Sequence, residues 1–110
     1  MTSDIKNYFD KNEKEIRTEG YEKTNAKYTY KYLRESKKIL YVGSGDGLMI
    51  KELLKINKSL EINGVEISNK LYSLSKKNIP EVKIYNENIF NLKLKNQYDT
   101  IVSFSLLQYL

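Results

Sequence analysis

Short apolar runs alternate with helical patterns over the last two thirds of this chain. Apolar runs that are too short for helices predict strands at residues 38–42, 60–66, 82–85 and 98–104. The first three are separated by stretches with helical spacing, whereas residues 86–96 show no clear period and are predicted to be a connection. Strands that alternate with helices predict a parallel sheet with right-handed crossovers, covered by helices on both faces.

Two helices are predicted between these strands. The first follows a glycine-rich turn, and its expected inward positions are Leu48, Met49, Leu53, Leu54 and Ile56. The second is expected to start at Ser68 as its N-cap, to run to about Asn78 and to stop before Pro80. Its inward positions are Leu71, Leu74 and Ser75, and a further helix is expected to begin at residue 106.

The first part of the chain has a different pattern. Residues 3–37 contain helix formers and scattered aromatics without sustained alternation, which predicts one or two amphipathic helices. Tyr21 and Tyr28 could cover a ligand, but aromatics at helical spacing are more often core residues. We therefore predict a helical N-terminal preface over residues 1–37 and an α/β domain over residues 38–110.

Composition limits the possible chemistry. The chain has 110 residues, enough for one domain, and it contains no cysteine and no histidine. Disulfides, thiolate nucleophiles and zinc–thiolate sites are excluded, and so is the commonest general base, so no metal site is predicted. No apolar stretch is long enough to span a bilayer, and the first residues do not resemble a signal peptide. We expect a cytoplasmic protein without a membrane partner.

The net charge of +5 does not by itself indicate a nucleic-acid partner. Ten cations stand against seven acids through Lys38, and nine against seven afterwards, with the two signs interleaved. Lysine, asparagine and isoleucine are all frequent, as expected from an AT-biased coding sequence. The linear sequence shows neither a basic stripe nor an aromatic platform, so a nucleic-acid-binding module is the weakest of the functional alternatives.

Three glycines on alternate positions follow the first predicted strand. Gly43, Gly45 and Gly47 allow a tight turn and close approach of a ligand to the backbone, and the first amides of the next helix favour an anion. Glu66 ends the second predicted strand, so both features should face one cleft at the carboxyl edge of the sheet. A plain turn or a solvated strand end would explain either feature alone. Together they favour a nucleoside whose ribose hydroxyls donate to Glu66.

The chain resembles the class I S-adenosylmethionine-dependent methyltransferases over residues 38–110. Residues 39–47 are similar to the first motif of that family, with the spacing G-x-G-x-G rather than the dinucleotide spacing G-x-G-x-x-G. Residues 64–68 resemble the second motif, residues 86–89 the adenine-contacting segment, and residues 97–103 followed by 106–110 the fourth-strand motif. The resemblance implies a Rossmann-like fold, S-adenosylmethionine as cofactor, and methyl transfer to an unidentified small-molecule or macromolecular acceptor.

The resemblance also implies site residues. Gly43, Ser44, Gly45 and Gly47 would line the methionine and ribose, Glu66 would bind the ribose, and Ile67, Asn88, Ile89 and Ser103 would flank the adenine and the sulfur. No catalytic residue is implied. The chain departs from the family at Tyr41 and Asn88, where aspartate is common, and at Gln108, where histidine is common. An amide at Asn88 accepts without charge assistance, which implies weaker adenine binding.

The family sheet has seven strands, so the resemblance implies a domain that is incomplete at the C-terminus, after the fourth strand. A fragment, a natural truncation and half of a split enzyme are all expected alternatives. An exposed fourth strand would favour self-association or pairing with a second polypeptide, with marginal stability and no methyl transfer by this chain alone. A non-catalytic cofactor-binding remnant and, with lower weight, an NAD-binding oxidoreductase stay open as alternatives.

Overall fold

Four parallel strands separated by helices form the centre of the protein. The computed structural model describes residues 21–93 and 97–103. Its elements in chain order are α1 (Tyr21–Tyr30), β1 (Lys38–Val42), α2 (Leu48–Ile56), β2 (Glu61–Val65), α3 (Asn69–Asn78), β3 (Ile84–Tyr85), a short 3-10 helix (Ile89–Asn91) and β4 (Thr100–Ser103). None of the helices in this described part is both long and apolar enough to cross a membrane.

The strand order is β3-β2-β1-β4, and every pair is parallel. In the register of the sheet, Val42 at the end of β1 lies opposite Val65 of β2 and Ser103 of β4. The chain moves outward from β1 through β2 to β3 and then returns to the other side of β1. Because such a reversal leaves a crevice at the carboxyl ends of the strands, the ligand site is expected between β1 and β4. This topology confirms the predicted Rossmann-like α/β fold.

The three helices pack on one face of this sheet. Side chains from β1, β2 and β3 meet α1, α2 and the end of α3 in the main core, whose buried members include Ala26, Leu33, Ile39, Tyr41, Ile50, Leu53, Ile62, Ile79 and Ile84. Tyr30 of α1 also accepts a hydrogen bond from Asn57 Nδ2 at 3.2 Å, at the end of α2. The helix before β1 therefore shares its core with the α/β unit, and the predicted division at residue 37 stays a prediction.

The second face of the sheet is covered differently. Leu40, Val42 and Val65 are buried there by side chains of the loops after β2 and β3 and of the segment before β4. Asn63 Nδ2 donates to the Tyr98 hydroxyl at 2.7 Å, and burial is the main cause of the raised pKa of Tyr98. Within the described residues no α-helix lies on this face, so the prediction of helices on both faces is not met there.

Three strands are shorter than predicted. The structure has 61–65 in place of 60–66, 84–85 in place of 82–85, and 100–103 in place of 98–104, with residue 104 outside the described residues. Val82 is buried, but its amide donates to the carbonyl of Ile79 at 3.0 Å in a turn, so it cannot join the ladder. Apolar residues therefore continue past the residues that pair in the sheet, because some buried positions lie in turns. The helix predicted from residue 106 also lies outside the described residues.

Two predicted inward residues are exposed. Ile56, the last residue of α2, is 42% exposed, because Met49, Ile50 and Leu53 form the buried side of that helix. Tyr28 is 61% exposed, so of its two predicted alternatives the core position is not met. The buried side of α1 is formed by smaller and aliphatic side chains, including Ala26.

A carboxylate joins the starts of β1 and β4. Asp99 Oδ2 accepts from the amides of Lys37 and Lys38, each at 2.9 Å, and Asp99 Oδ1 accepts from Thr100 Oγ1 at 2.8 Å. The Thr100 hydroxyl also bonds that of Ser36 at 2.7 Å. These donors, led by the Lys38 amide, lower the pKa of Asp99 below its usual value.

We expect Asp99→Asn to reduce the fall in thermal stability that occurs when the pH is lowered. The folded-state pKa of Asp99 lies below the reference value of 3.8, so its contribution is complete above that pH and is lost as pH falls through the lower folded value. Thermal melts between neutral pH and about pH 2.5 should show a steeper loss of Tm for the natural chain than for the variant. Parallel curves in that range would contradict the role of Asp99.

Candidate cofactor-binding site

The loop between β1 and α2 has an unusual backbone. Gly43, Gly45 and Gly47 have φ angles of 75°, 62° and 85°, in the region that L side chains rarely adopt. A side chain in this conformation costs roughly 1–2 kcal/mol per residue, so the backbone itself requires the alternate glycines. The strand therefore turns sharply into α2, and the loop amides lie at the carboxyl edge of the sheet.

The last turn of α3 holds this loop in place. A Cβ on Gly47 would lie 2.7 Å from Ile79 Cδ1 and 3.3 Å from Ser75 Cβ, so the helix approaches the loop backbone directly. Asn78 Nδ2 donates to the carbonyl of Asp46 at 3.0 Å. The loop is thus supported from a segment about thirty residues later in the chain.

Glu66 lies against the same loop. Its side chain is buried, with 3% of the residue exposed, so a solvated strand end is excluded. Glu66 Oε1 accepts from the Gly45 amide at 2.7 Å, and Oε2 accepts from the Ser68 amide at 2.9 Å. The two predicted features, the glycines and the acid, are therefore in direct contact.

The backbone of Glu66 is fixed from β3. Its amide donates to the Tyr85 carbonyl at 2.8 Å, and its carbonyl accepts from Asn86 Nδ2 at 3.0 Å. A carboxylate offers about four acceptor positions in all. A buried, oriented carboxylate of this kind can accept from the paired hydroxyls of a ribose.

Asp46 accepts a hydrogen bond at the start of α2. It is buried, and its Oδ1 accepts from the Leu48 amide at 3.1 Å, while the N-cap residue Gly47 has no side chain to do so. A carboxylate at a helix N-terminus is also favoured by the helix dipole. Asp46 was not among the predicted site residues, although its place inside the G-x-G-x-G segment was the signal that could have found it.

Ser44 is placed differently from the other loop residues. Its side chain is turned inward, where Oγ lies 2.6 Å from the position that a Cβ on Gly64 would occupy. The hydroxyl is buried and has no hydrogen-bond partner among residues 21–93 and 97–103. The amides of Gly43 and Ser44 both donate to the Val65 carbonyl, at 2.8 and 3.1 Å. The Ser44 amide is therefore engaged by β2, and the Ser44 side chain requires a glycine at position 64.

The remaining predicted site residues lie beyond the ends of the strands. Asn88 Oδ1 accepts from the Phe90 amide at 3.0 Å and so caps the 3-10 helix. Ile67 and Ile89 are half-buried and pack in the apolar cluster of the second face. Ser103 is exposed at the end of β4, next to Val42 in the register.

Sequence reasoning missed the residues that position the site. Asn78 and Asn86 each hold a backbone carbonyl of the loop or of Glu66, and the amide of Ser68, predicted only as a helix cap, also donates to the Glu66 carboxylate. Asn86 stands directly after β3, where a polar side chain could have been suspected. Asn78 gave no such signal, because its partner is distant in the sequence.

Comparison with known proteins supports this description. The family model of the spermine/spermidine synthase domain matches residues 19–104. No curated protein matches the chain in sequence. The matched residues contain every strand and helix described above.

Solved structures share the fold at low identity. DesVI from Streptomyces venezuelae is 16% identical with a TM-score of 0.66, over 94% of this chain and 43% of its own. CalS10, an amino pentose methyltransferase from Micromonospora echinaspora with bound S-adenosylmethionine, is 17% identical with a TM-score of 0.66, over 86% and 40%. The plantazolicin methyltransferase BpumL, in complex with S-adenosylhomocysteine, is 19% identical with a TM-score of 0.63, over 86% and 39%.

This chain thus spans about two fifths of the length of these structures. The chain therefore belongs to the family of the spermine/spermidine synthase domain, and its fold is that of the class I S-adenosylmethionine-dependent methyltransferases.

Proposed function

We propose that this chain binds S-adenosylmethionine and forms the cofactor-binding part of a methyltransferase. The observation that carries the proposal is the contact between Glu66 and Gly45, which holds a buried carboxylate against a glycine loop at the carboxyl edge of a parallel sheet. The methyltransferase structures with the same fold support the same cofactor. The acceptor is a nucleophilic atom of a molecule not yet identified.

The arrangement of the chain fits this cofactor. The backbone of the loop, with Gly43, Ser44, Gly45 and Gly47, would hold the methionine and ribose, and Glu66 would accept from the ribose hydroxyls. Ile67, Asn88, Ile89 and Ser103 would border the adenine and the sulfur. Asn88 already caps the 3-10 helix, so its amide is fixed in orientation before any ligand arrives.

Methyl transfer from S-adenosylmethionine requires the protein mainly to position the cofactor and the acceptor. S-adenosylmethionine, when bound, supplies a methyl group on a positively charged sulfur, which is electrophilic without further activation. The loop and Glu66 would orient that ligand, while the apolar side chains of Ile67 and Ile89 would exclude water from one side of it. We assign no catalytic base, and the chain contains no histidine or cysteine to serve as one.

The cofactor is tested by calorimetry. We expect S-adenosylmethionine or S-adenosylhomocysteine to bind measurably tighter than NAD or ATP, because the loop has the glycine spacing of the methyltransferases and a carboxylate for the ribose. Heat of binding should be measured for the four ligands under one buffer condition. Tighter binding of NAD would contradict the proposal and favour a nicotinamide-dependent oxidoreductase.

A second candidate activity comes from the matched family. A spermine synthase must add an aminopropyl unit to spermidine, and the decarboxylated form of S-adenosylmethionine carries such a unit on its sulfur. The family match is the observation that favours this alternative. Incubation with spermidine and either donor, followed by mass spectrometry, separates the two activities, because methylation and aminopropylation add different masses.

A non-catalytic role in cofactor binding is the third alternative. In that case S-adenosylhomocysteine would bind but S-adenosylmethionine would not be consumed with any acceptor. A binding measurement alone therefore tests the site, and turnover in the same sample tests the enzyme.

A further inference from the structure

The exposed side of α1 and of the turn after it combines lysines with tyrosines. We call this surface the α1 face and define it by Lys23, Lys27, Tyr28, Lys31 and Tyr32, all of which are exposed. The lysines recur every fourth residue, and so do the tyrosines, which places each set in a row along one side of a helix. Lys31 and Tyr32 lie in the turn that follows α1, where the amide of Tyr32 donates to the Thr29 carbonyl at 3.0 Å.

The positive charge of the chain is concentrated here. Between Lys23 and Arg34 the sequence has four cations and no carboxylate, which accounts for four of the five net positive charges of the whole chain. The alternation of signs over the first 38 residues conceals this window. Lys23 and Lys27 lie on α1, Lys31 and Arg34 lie in the turn that follows it, and all four are exposed.

The tyrosines of the α1 face are not core residues. Tyr28 is 61% exposed and Tyr32 is 86% exposed, whereas Ala26 and Leu33 of the same segment are buried. The Lys31 ammonium lies 5.3 Å from the centre of the Tyr28 ring, within the range of a cation–π contact. Two flat rings are thus available to solvent beside a row of ammonium groups.

We propose that the α1 face binds single-stranded nucleic acid. Proteins that bind single strands combine cations for the phosphates with aromatic rings on which unpaired bases stack. The lysine row supplies the first component, and the rings of Tyr28 and Tyr32 supply the second. In duplex nucleic acid the bases are already stacked on one another, so exposed tyrosines would gain little from it.

A membrane fits this surface less well. Helices that lie on membranes bury aliphatic and large aromatic side chains, and the exposed side of α1 presents lysine, threonine and tyrosine. An acidic protein would complement the positive charge, but binding an acidic protein does not require two exposed aromatic rings. Both alternatives are outcomes of the experiment below.

The experiment measures fluorescence anisotropy of a labelled oligouridylate of about twelve nucleotides with the full 110-residue chain. We expect Tyr32→Ala to weaken binding about fivefold or more, through the loss of one stacked base. The triple variant Lys23→Gln, Lys27→Gln and Lys31→Gln should make the dependence of log affinity on log salt shallower by about 2.

Matched controls separate the surface from general charge and general aromaticity. Lys51→Gln, Lys58→Gln and Lys77→Gln remove the same charge from other exposed positions, and Phe90→Ala removes a ring that is 69% exposed. The proposal requires both controls to bind like the natural chain. Binding of S-adenosylhomocysteine should also be unchanged in the lysine and tyrosine variants of the α1 face, which shows that they are folded.

Several results would overturn the proposal. Equal losses in the control variants would show a non-specific charge effect. Binding of a duplex of the same length as tightly as the single strand, or insensitivity to Tyr32→Ala, would remove the stacking role. Retention of polyglutamate or of anionic vesicles through the same lysines, without retention of the oligonucleotide, would assign the surface to an acidic protein or a membrane.

Discussion

Replacing Glu66 with alanine is expected to weaken binding of S-adenosylhomocysteine by roughly 2–3 kcal/mol. The substitution removes a buried carboxylate that would accept from two ribose hydroxyls. It also leaves the Gly45 and Ser68 amides without their present acceptor, so the loop itself loses support. Calorimetry would measure the affinity, and chemical denaturation would measure the accompanying loss of stability.

The matched control for this experiment is Glu61→Ala. Glu61 is an exposed acid at the start of β2, the strand that Glu66 follows, and it pairs with Lys38 Nζ at 4.0 Å. Glu66→Gln adds a second test that keeps the side-chain shape, because one amide oxygen can replace only one of the two acceptors. Equal small effects of Glu66→Ala and Glu61→Ala would show that Glu66 has no part in ligand binding.

Gly47→Ala is expected to lower the free energy of unfolding by roughly 2–4 kcal/mol, from backbone strain at positive φ and from overpacking. The new methyl group would lie 2.7 Å from Ile79 Cδ1 and 2.8 Å from Ile79 Cγ1. The loop or the end of α3 would have to shift, which should also weaken ligand binding. Urea denaturation and calorimetry would measure the two effects separately.

A second substitution tests the cause of this loss. Ile79→Val removes the terminal methyl group nearest to the new side chain, so the double variant Gly47→Ala, Ile79→Val should recover part of the stability. The strain from the φ of 85° would remain. A loss below about 1 kcal/mol in the single variant would contradict the crowding that the structure shows.

Much of the fold was predictable from local pattern. The bounds of β1 and the capping of α3 by Ser68 agree with the sequence predictions, because a short apolar run and an N-cap serine are signals carried by neighbouring residues. The predicted strands β3 and β4 were longer than the strands in the structure. Strand ends depend on which amides find partners, and Val82 donates its amide to a turn that hydrophobicity cannot reveal.

The site was predictable in its glycines and its acid but not in its supports. Positive φ angles and a strand-end carboxylate have signatures in the sequence, whereas the direction of the Ser44 side chain does not. Asn78 and Asn86 reach carbonyls 32 and 20 residues away, so their roles exist only in the folded chain. The α1 face was not predicted for a similar reason, since a helix aligns residues that the sequence separates.

The position of β1 between β2 and β4 has a consequence for the order of folding. The pairing of β1 with β2 and of β2 with β3 joins strands that follow one another, but the Asp99 contact to Lys37 spans 62 residues. Each doubling of a closed loop costs about 0.6 kcal/mol of chain entropy, so contacts of β4 should form after those of β1, α2 and β2. Amides paired between β1 and β4 should then exchange with deuterium sooner than those paired between β1 and β2. The central strand would acquire its second neighbour last, while the glycine loop beside it is already in place.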